Sequence, residues 1–210
     1  MEFRFLSRKF RYSYSNVTFK LIIINVAMFF LINLVPSLYG IFAMVPGYII
    51  FYKWVWQVFT YMFVHADFSH ILFNMFGLFM FGLPIERRLG SKEFLLFYLL
   101  SGTLSGVFSL IAYLATGTNV VLVGASGAIY AVLLAYSVLY PTSVIFLFGI
   151  LPIRAPYLVI GYALIELFNQ VFGRVGGVAH LTHLAGLAIA YLYFVVRLKI
   201  SPYKEWRRHL

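Results

Sequence analysis

Four polar positions in an otherwise apolar chain are of types that could break an acyl bond without a metal. Ser126 lies in Gly124-Ala125-Ser126-Gly127, two residues after one glycine and directly before another. Glycine beside a nucleophile lets the backbone turn tightly and lets a substrate come close. The apolar run that begins at Ser126 reads as a helix start. Unpaired N–H groups and a partial positive charge gather there and favour an oxyanion. His183, in His180-x-x-His183, is the candidate base, because a Ser–His pair can form an acyl-enzyme. His70 and Asn74 are four apart and share one helix face, where imidazole and amide N–H groups could donate to the oxyanion. Tyr130, one turn after Ser126, could orient the imidazole by stacking. No Asp or Glu adjoins either motif, so the reading is a Ser126–His183 dyad. Taken singly, a serine among glycines is more often a packing residue and a helix histidine a satisfied core group. Their joint placement favours catalysis.

The elements that hold these residues must lie in a membrane. Of 210 residues, 63% are hydrophobic and 10% charged, and the mean hydropathy is +0.93. A soluble domain carries about 25% charged residues, so too little polar surface exists to coat one. Disorder and a disulfide scaffold are excluded by the apolar content and the lack of Cys. A helical span needs roughly 20 apolar residues. Six runs fit: about 21–38, 68–83, 94–115, 126–140, 157–172 and 178–196. The first reads as a retained span, because no small-residue cleavage site precedes it. The stretch 39–64, with Pro46, Gly47, Trp54 and Trp56, is too broken to cross and reads as an interfacial loop. The fold class is therefore an all-α membrane bundle of six transmembrane helices. Residues 1–20 form a basic segment, 21–196 the six-span domain and 197–210 a basic tail.

Charge sets the orientation. With both termini in the cytoplasm, 14 of the 16 Lys and Arg lie inside and only Lys53 and Arg174 outside. An anionic membrane surface accounts for the basic clusters, and no nucleic-acid partner is expected. Spans two, four and six then enter from the outer face. This puts His70, Asn74, Ser126, His180 and His183 near one depth, where polar groups default to function. The fourth span, at about 22 Å, is shorter than the roughly 30 Å hydrocarbon core. The loop before Ser126 must therefore dip into protein or a water cavity. Gly127 with Ala131, and Gly186 with Ala190, give small residues four apart on spans four and six. Such stripes let helices pack closely and would bring Ser126 to His183.

A metal site built on the histidines is the weaker alternative. HExxH is absent, and Asp67 and Glu166 lack ligand spacing to the histidine pair. Glu166 reads as reaching the headgroups, and Phe168 and Phe172 as lipid-facing or packing aromatics. No metal or cofactor is expected.

At these residues the sequence resembles the rhomboid family of intramembrane serine proteases. The matching pieces are Gly124-Ala125-Ser126-Gly127-Ala128 with Tyr130, His70-Ile71-Leu72-Phe73-Asn74, Ala179-His180-Leu181-Thr182-His183 through Gly186, and Glu86-Arg87-Arg88-Leu89-Gly90-Ser91. The resemblance spans about 54–196. It implies Ser126 as nucleophile, His183 as base and acid, and Tyr130 packed on His183. It implies an oxyanion site of His70, Asn74 and the Ser126 amide, with Gly124 at the nucleophile turn and Gly186 at a close helix contact. It further implies that Glu86 is a structural acid, that substrate arrives between spans two and five, and that the chain is the compact six-span prokaryotic type. Gln57 stands where the family has an Arg after Trp56, so the first loop's polar anchoring departs from the pattern. The implied partners are the transmembrane segments of substrate proteins and the bilayer of the cell membrane. A non-proteolytic binder of transmembrane segments is the alternative.

Overall fold

The computed structural model describes residues 10–118, 120–147, 149–172 and 177–209. Arg4, Arg8, Lys9 and Arg174, which enter the charge count above, lie outside them. Among the described residues five helices are long and apolar enough to cross a bilayer. We number the apolar helices in chain order. Helix one is Val17–Leu34, helix two Phe68–Leu89 and helix three Ser91–Thr116. Helix four, Ser126–Leu139, is apolar but only 14 residues long. Helix five is Ala155–Phe172 and helix six Gly177–Tyr193. The architecture is an all-α membrane bundle.

Helix four is the centre of the bundle and packs against helices six, three, five and two. Its sequence explains the position. Gly127, Ala128, Ala131 and Ala135 leave little side chain, so neighbours approach on several sides, and all four are buried. Gly186 of helix six meets Gly127 so closely that a Cβ on Gly186 would lie 2.1 Å from the Gly127 carbonyl oxygen. Ala131 and Ala190 are fully buried. The small-residue contact expected between these two helices is present.

Helix two runs past the expected end at residue 83, through Pro84 to Leu89. A π turn at Leu78–Gly82 widens the helix just before Pro84, which has no N–H to give. At the far end from Ser126, Glu86 is fully buried. It accepts from the Val17 and Thr18 amides, the Thr18 hydroxyl and the Ser91 hydroxyl at 2.5–2.8 Å. It caps helix one and ties it to helices two and three. Glu93 binds Arg197 through both carboxylate oxygens and Tyr193, which fastens helix three to the end of helix six.

Helices four and five are joined by an antiparallel hairpin, β1 (Val144–Leu147) and β2 (Leu151–Arg154). The broken stretch 39–64 forms three short helices, Ser37–Phe42, Pro46–Tyr52 and Gln57–Thr60, and a 3₁₀ turn, Tyr61–Phe63. Tyr48, Trp54 and Trp56 make an aromatic cluster there.

Candidate active site

The chain reaches Ser126 through an irregular segment that protein groups satisfy. Met44 and Leu122 exchange backbone hydrogen bonds of 3.0 and 2.9 Å, and the Gly124 amide donates to the Tyr61 carbonyl at 3.0 Å. The first loop thus holds the Gly124–Gly127 turn by its backbone, as buried non-helical chain requires. Gly124 has φ +107°, and a Cβ there would lie 2.4 Å from His70 Nε2. Glycine is needed for the conformation and for the close approach of His70.

Helix six delivers the imidazole. His183 Nε2 lies 2.7 Å from Ser126 Oγ. The Tyr130 ring stacks on His183, with centroids 4.2 Å apart and planes 6° from parallel. Thr182, next to His183, hydrogen-bonds Ser109 of helix three at 2.7 Å. The ring is therefore held from one face by Tyr130, while its helix is fixed by the Gly186 contact and by Thr182.

Glu166 departs from the sequence reading. It is only 6% exposed and points into the bundle rather than toward headgroups. Its Oε1 lies 3.0 Å from His183 Nδ1 and also accepts from the Tyr130 hydroxyl, and its Oε2 pairs with His180 Nδ1. A carboxylate in an apolar core is costly unless its lone pairs are filled, and three groups that can donate fill them here. The expectation that Glu166 has no ligand spacing to the histidines is also overturned. Ligand atoms of Glu166, His180 and His183 all lie within 4.8 Å of one another. Spacing along the chain did not reveal this, because the acid belongs to a different helix from both histidines.

His70 and Asn74 line the same cavity as Ser126 and His183. One N–H of the Asn74 amide donates to the His70 carbonyl at 2.9 Å. Asp67 caps helix two by accepting the His70 amide at 2.8 Å. That bond and the Ser69 hydroxyl hold its carboxyl below the usual range, Ser69 contributing most. Behind His70 stands His65, edge-on with ring centroids 5.0 Å apart. His65 is 3% exposed, and neither ring nitrogen has a hydrogen-bond partner among the described residues. Burial first, then the neighbouring His70, pushes its pKa down to about 3.

The cavity has a volume of about 820 Å³ and is mostly apolar. Helix four lines it through Ser126, Ile129, Tyr130 and Leu133, helix two through Phe73 and Phe76, and helix five through Leu158 and Tyr162. Phe146 and Leu147 of β1 also line it. Phe168 and Phe172 pack on each other, centroids 4.9 Å apart, on the exposed side of helix five.

Gln57 supplies the anchoring of the first loop. It is fully buried, accepts from the Val45 amide at 3.0 Å and donates to the Gly40 carbonyl at 2.8 Å. Trp56 Nε1 and the Thr60 hydroxyl donate to the Ile41 and Phe42 carbonyls.

Comparison with known proteins agrees with this architecture. Residues 52–200 match the rhomboid domain model. YdcA of Bacillus subtilis is 38% identical over 81 residues, which is 39% of each chain. RHOMBOID-like protein 12, mitochondrial, of Arabidopsis thaliana is 35% identical over 150 residues, 63% of this chain and 44% of that one. Rhomboid protease GlpG of Salmonella newport is 40% identical over 52 residues, 25% of this chain and 19% of that one. The chain spans less than half the length of these curated relatives. With a domain match covering well over half of its residues, and a multi-pass helical bundle around the Gly124–Gly127 turn, the chain belongs to the rhomboid family.

Proposed function

We propose that the protein is an intramembrane serine endopeptidase that cleaves peptide bonds in or near transmembrane segments of other membrane proteins. The observation that carries this reading is the 2.7 Å approach of Ser126 Oγ to His183 Nε2, at the start of a central helix and open to an apolar cavity. Ser126 Oγ attacks the substrate carbonyl carbon while His183 Nε2 takes its proton. The oxyanion forms against the Ser126 amide, His70 and Asn74. His183 then returns the proton to the departing amine as the C–N bond breaks. A water, deprotonated by the same nitrogen, releases the acyl group. No step requires a metal or cofactor.

The substrate would be an extended or locally unwound stretch, because a helical backbone has its carbonyls hydrogen-bonded internally. The mostly apolar lining of the cavity, to which helices two, four and five all contribute, suits such a stretch arriving from the bilayer. The proposed location is the cell membrane, with both termini cytoplasmic and the site opening to the other side. Support comes from Arg87, Arg88, Lys92, Arg154 and Arg197, which all lie toward the helix ends away from Ser126.

The test is cleavage of a purified single-span reporter in detergent micelles. Wild-type protein should cut it, and Ser126→Ala and His183→Ala should each reduce cutting to background while leaving the fold intact. Cutting by Ser126→Ala would refute the assigned nucleophile. A folded wild-type protein that binds the reporter but never cuts it, and whose Ser126 resists a fluorophosphonate probe, would instead be a transmembrane-segment binder.

A further inference from the structure

We propose that Glu166 is a positioning residue that completes a three-residue relay with His183 and Ser126. This rests on the protease reading above and extends it. A serine–histidine pair works only when the imidazole proton sits on Nδ1, so that Nε2 can accept from the hydroxyl. Glu166 Oε1 lies 3.0 Å from His183 Nδ1, on the side of the ring opposite the 2.7 Å contact to Ser126. An ionised carboxylate is an acceptor only, so it selects the Nδ1–H form. It also gives the imidazolium that forms during attack a buried counter-charge. The proton moves from Ser126 Oγ to His183 Nε2 and later to the leaving amine nitrogen. Glu166 receives none.

The surroundings of Glu166 are built for this task. Its two oxygens take three partners from two neighbouring helices. Tyr130 joins His183 on Oε1, and His180 holds Oε2. His180 and Tyr130 therefore fix the direction in which Oε1 points. Tyr130 acts on His183 twice, by its ring stack and through the carboxylate. Among the described residues, the titratable groups bonded to Glu166 are these three, and the Tyr162 ring packs on Tyr130. His180 is also the part of the cluster nearest solvent, at 22% side-chain exposure against 8% for Glu166.

The experiment uses the full chain in detergent with the single-span reporter, reading kcat, KM, the rate of fluorophosphonate labelling of Ser126 and the melting temperature. Loss of the acid that orients a catalytic imidazole costs up to about 10⁴-fold in rate. Here the Tyr130 stack persists, so Glu166→Gln should lower kcat and labelling by about 100-fold, with KM within about threefold of wild type. Glu166→Asp keeps the charge and should recover about tenfold of that loss. The order separates the roles. If Glu166 only packs and hydrogen-bonds, Gln is the closer replacement in shape and should be the milder change. If it works through its charge on His183, Asp should be milder. Gln equal to or better than Asp in kcat overturns the proposal, as does a loss confined to KM. If Glu166→Gln fails to fold, Glu166→Asp and His180→Gln decide instead. Wild-type kcat in both overturns it. Stoichiometric zinc in the purified protein that vanishes in His180→Gln would also overturn it, because the cluster would then be a metal site. A wild type that never cuts the reporter refutes the protease reading itself. A cutting wild type with full activity in Glu166→Gln refutes only the relay.

Discussion

A methyl group on Gly186 would lie 2.1 Å from the carbonyl oxygen of Gly127, so helices four and six touch backbone to backbone. Gly127 follows Ser126, and Gly186 lies one turn after His183. The helix contact therefore sets the distance between hydroxyl and imidazole. A backbone atom cannot swing aside as a flexible side chain can, so Gly186→Ala must push the helices apart. A displacement of about 1 Å in a catalytic pair costs on the order of 100-fold in rate, and overpacking costs about 1–3 kcal/mol of stability. Reporter kinetics and a thermal melt of Gly186→Ala should show both losses. Wild-type kcat would mean that the helix contact does not govern the site.

How much of this was legible in the sequence follows from what a helix pattern can carry. Ser126, His183, Tyr130 and the two glycines are set by spacing within helices four and six and by a shared depth, and both are readable along one chain. Glu166 was not legible. Helix five is apolar on most of its circumference, so nothing in its pattern tells which side faces lipid. Its histidine partners lie 14 and 17 residues further on, in another helix. The β1–β2 hairpin was missed because Val144–Leu147 reads simply as more apolar chain. Gln57 looked like a lost cation because its carbonyl partners, at Gly40 and Ile41, leave no side-chain signature.

Tyr130 acts through a ring and a hydroxyl, and the two can be separated. Tyr130→Phe keeps the stack on His183, at 4.2 Å between centroids, and removes only the bond to Glu166. Tyr130→Ala removes both. An aromatic pair contributes about 0.5–1.5 kcal/mol, equivalent to roughly 2- to 12-fold in rate. Tyr130→Phe should lose less than about fivefold in kcat, and Tyr130→Ala roughly 2- to 12-fold beyond that. Equal losses in the two variants would assign the whole effect to the hydroxyl.

His70 and Asn74 line the same cavity as Ser126. If they bind the oxyanion, they matter in the transition state and little in the ground state. His70→Ala and Asn74→Ala should each lower kcat by about 10²- to 10³-fold, with KM nearly constant in steady-state kinetics. A change in KM alone would make them substrate contacts instead.

Gln57 offers a stability test remote from the chemistry. Gln57→Ala leaves the Val45 amide and the Gly40 carbonyl without their partner. Stranding a fully buried group costs about 1–3 kcal/mol, and because these two bonds are part-buried the loss should not exceed that for each. Gln57→Glu keeps the acceptor for Val45 but turns a negative oxygen on the Gly40 carbonyl, so it should melt no higher than the alanine variant. Because Met44 of the same loop pairs with Leu122, activity should fall together with the melting temperature in both. A Gln57→Glu protein as stable as wild type would show that the amide donor contributes nothing.

His65 makes stability depend on acid in a way that a single substitution should remove. In the folded protein burial, then His70, lowers its pKa to about 3, whereas an unfolded histidine titrates near 6.5. Between those values the unfolded chain binds the proton and the folded chain does not, so stability must decline as pH falls from about 6.5 toward 3. His65→Phe keeps an aromatic edge against His70 and carries no titrating group. It also removes two ring nitrogens that are buried in the folded protein. Melting temperature plotted against pH should therefore be flatter for His65→Phe than for wild type over that interval, with the two curves closest above pH 7. Asp67, whose carboxyl is held low by Ser69 and the His70 amide, acts in the opposite part of the range. Its cap on helix two is intact above the ordinary carboxylate pKa, near 4, and is lost as pH falls below it, so both proteins should share that final acid limb. Identical slopes for wild type and His65→Phe between pH 6.5 and 4 would mean that His65 takes up its proton in the folded state after all.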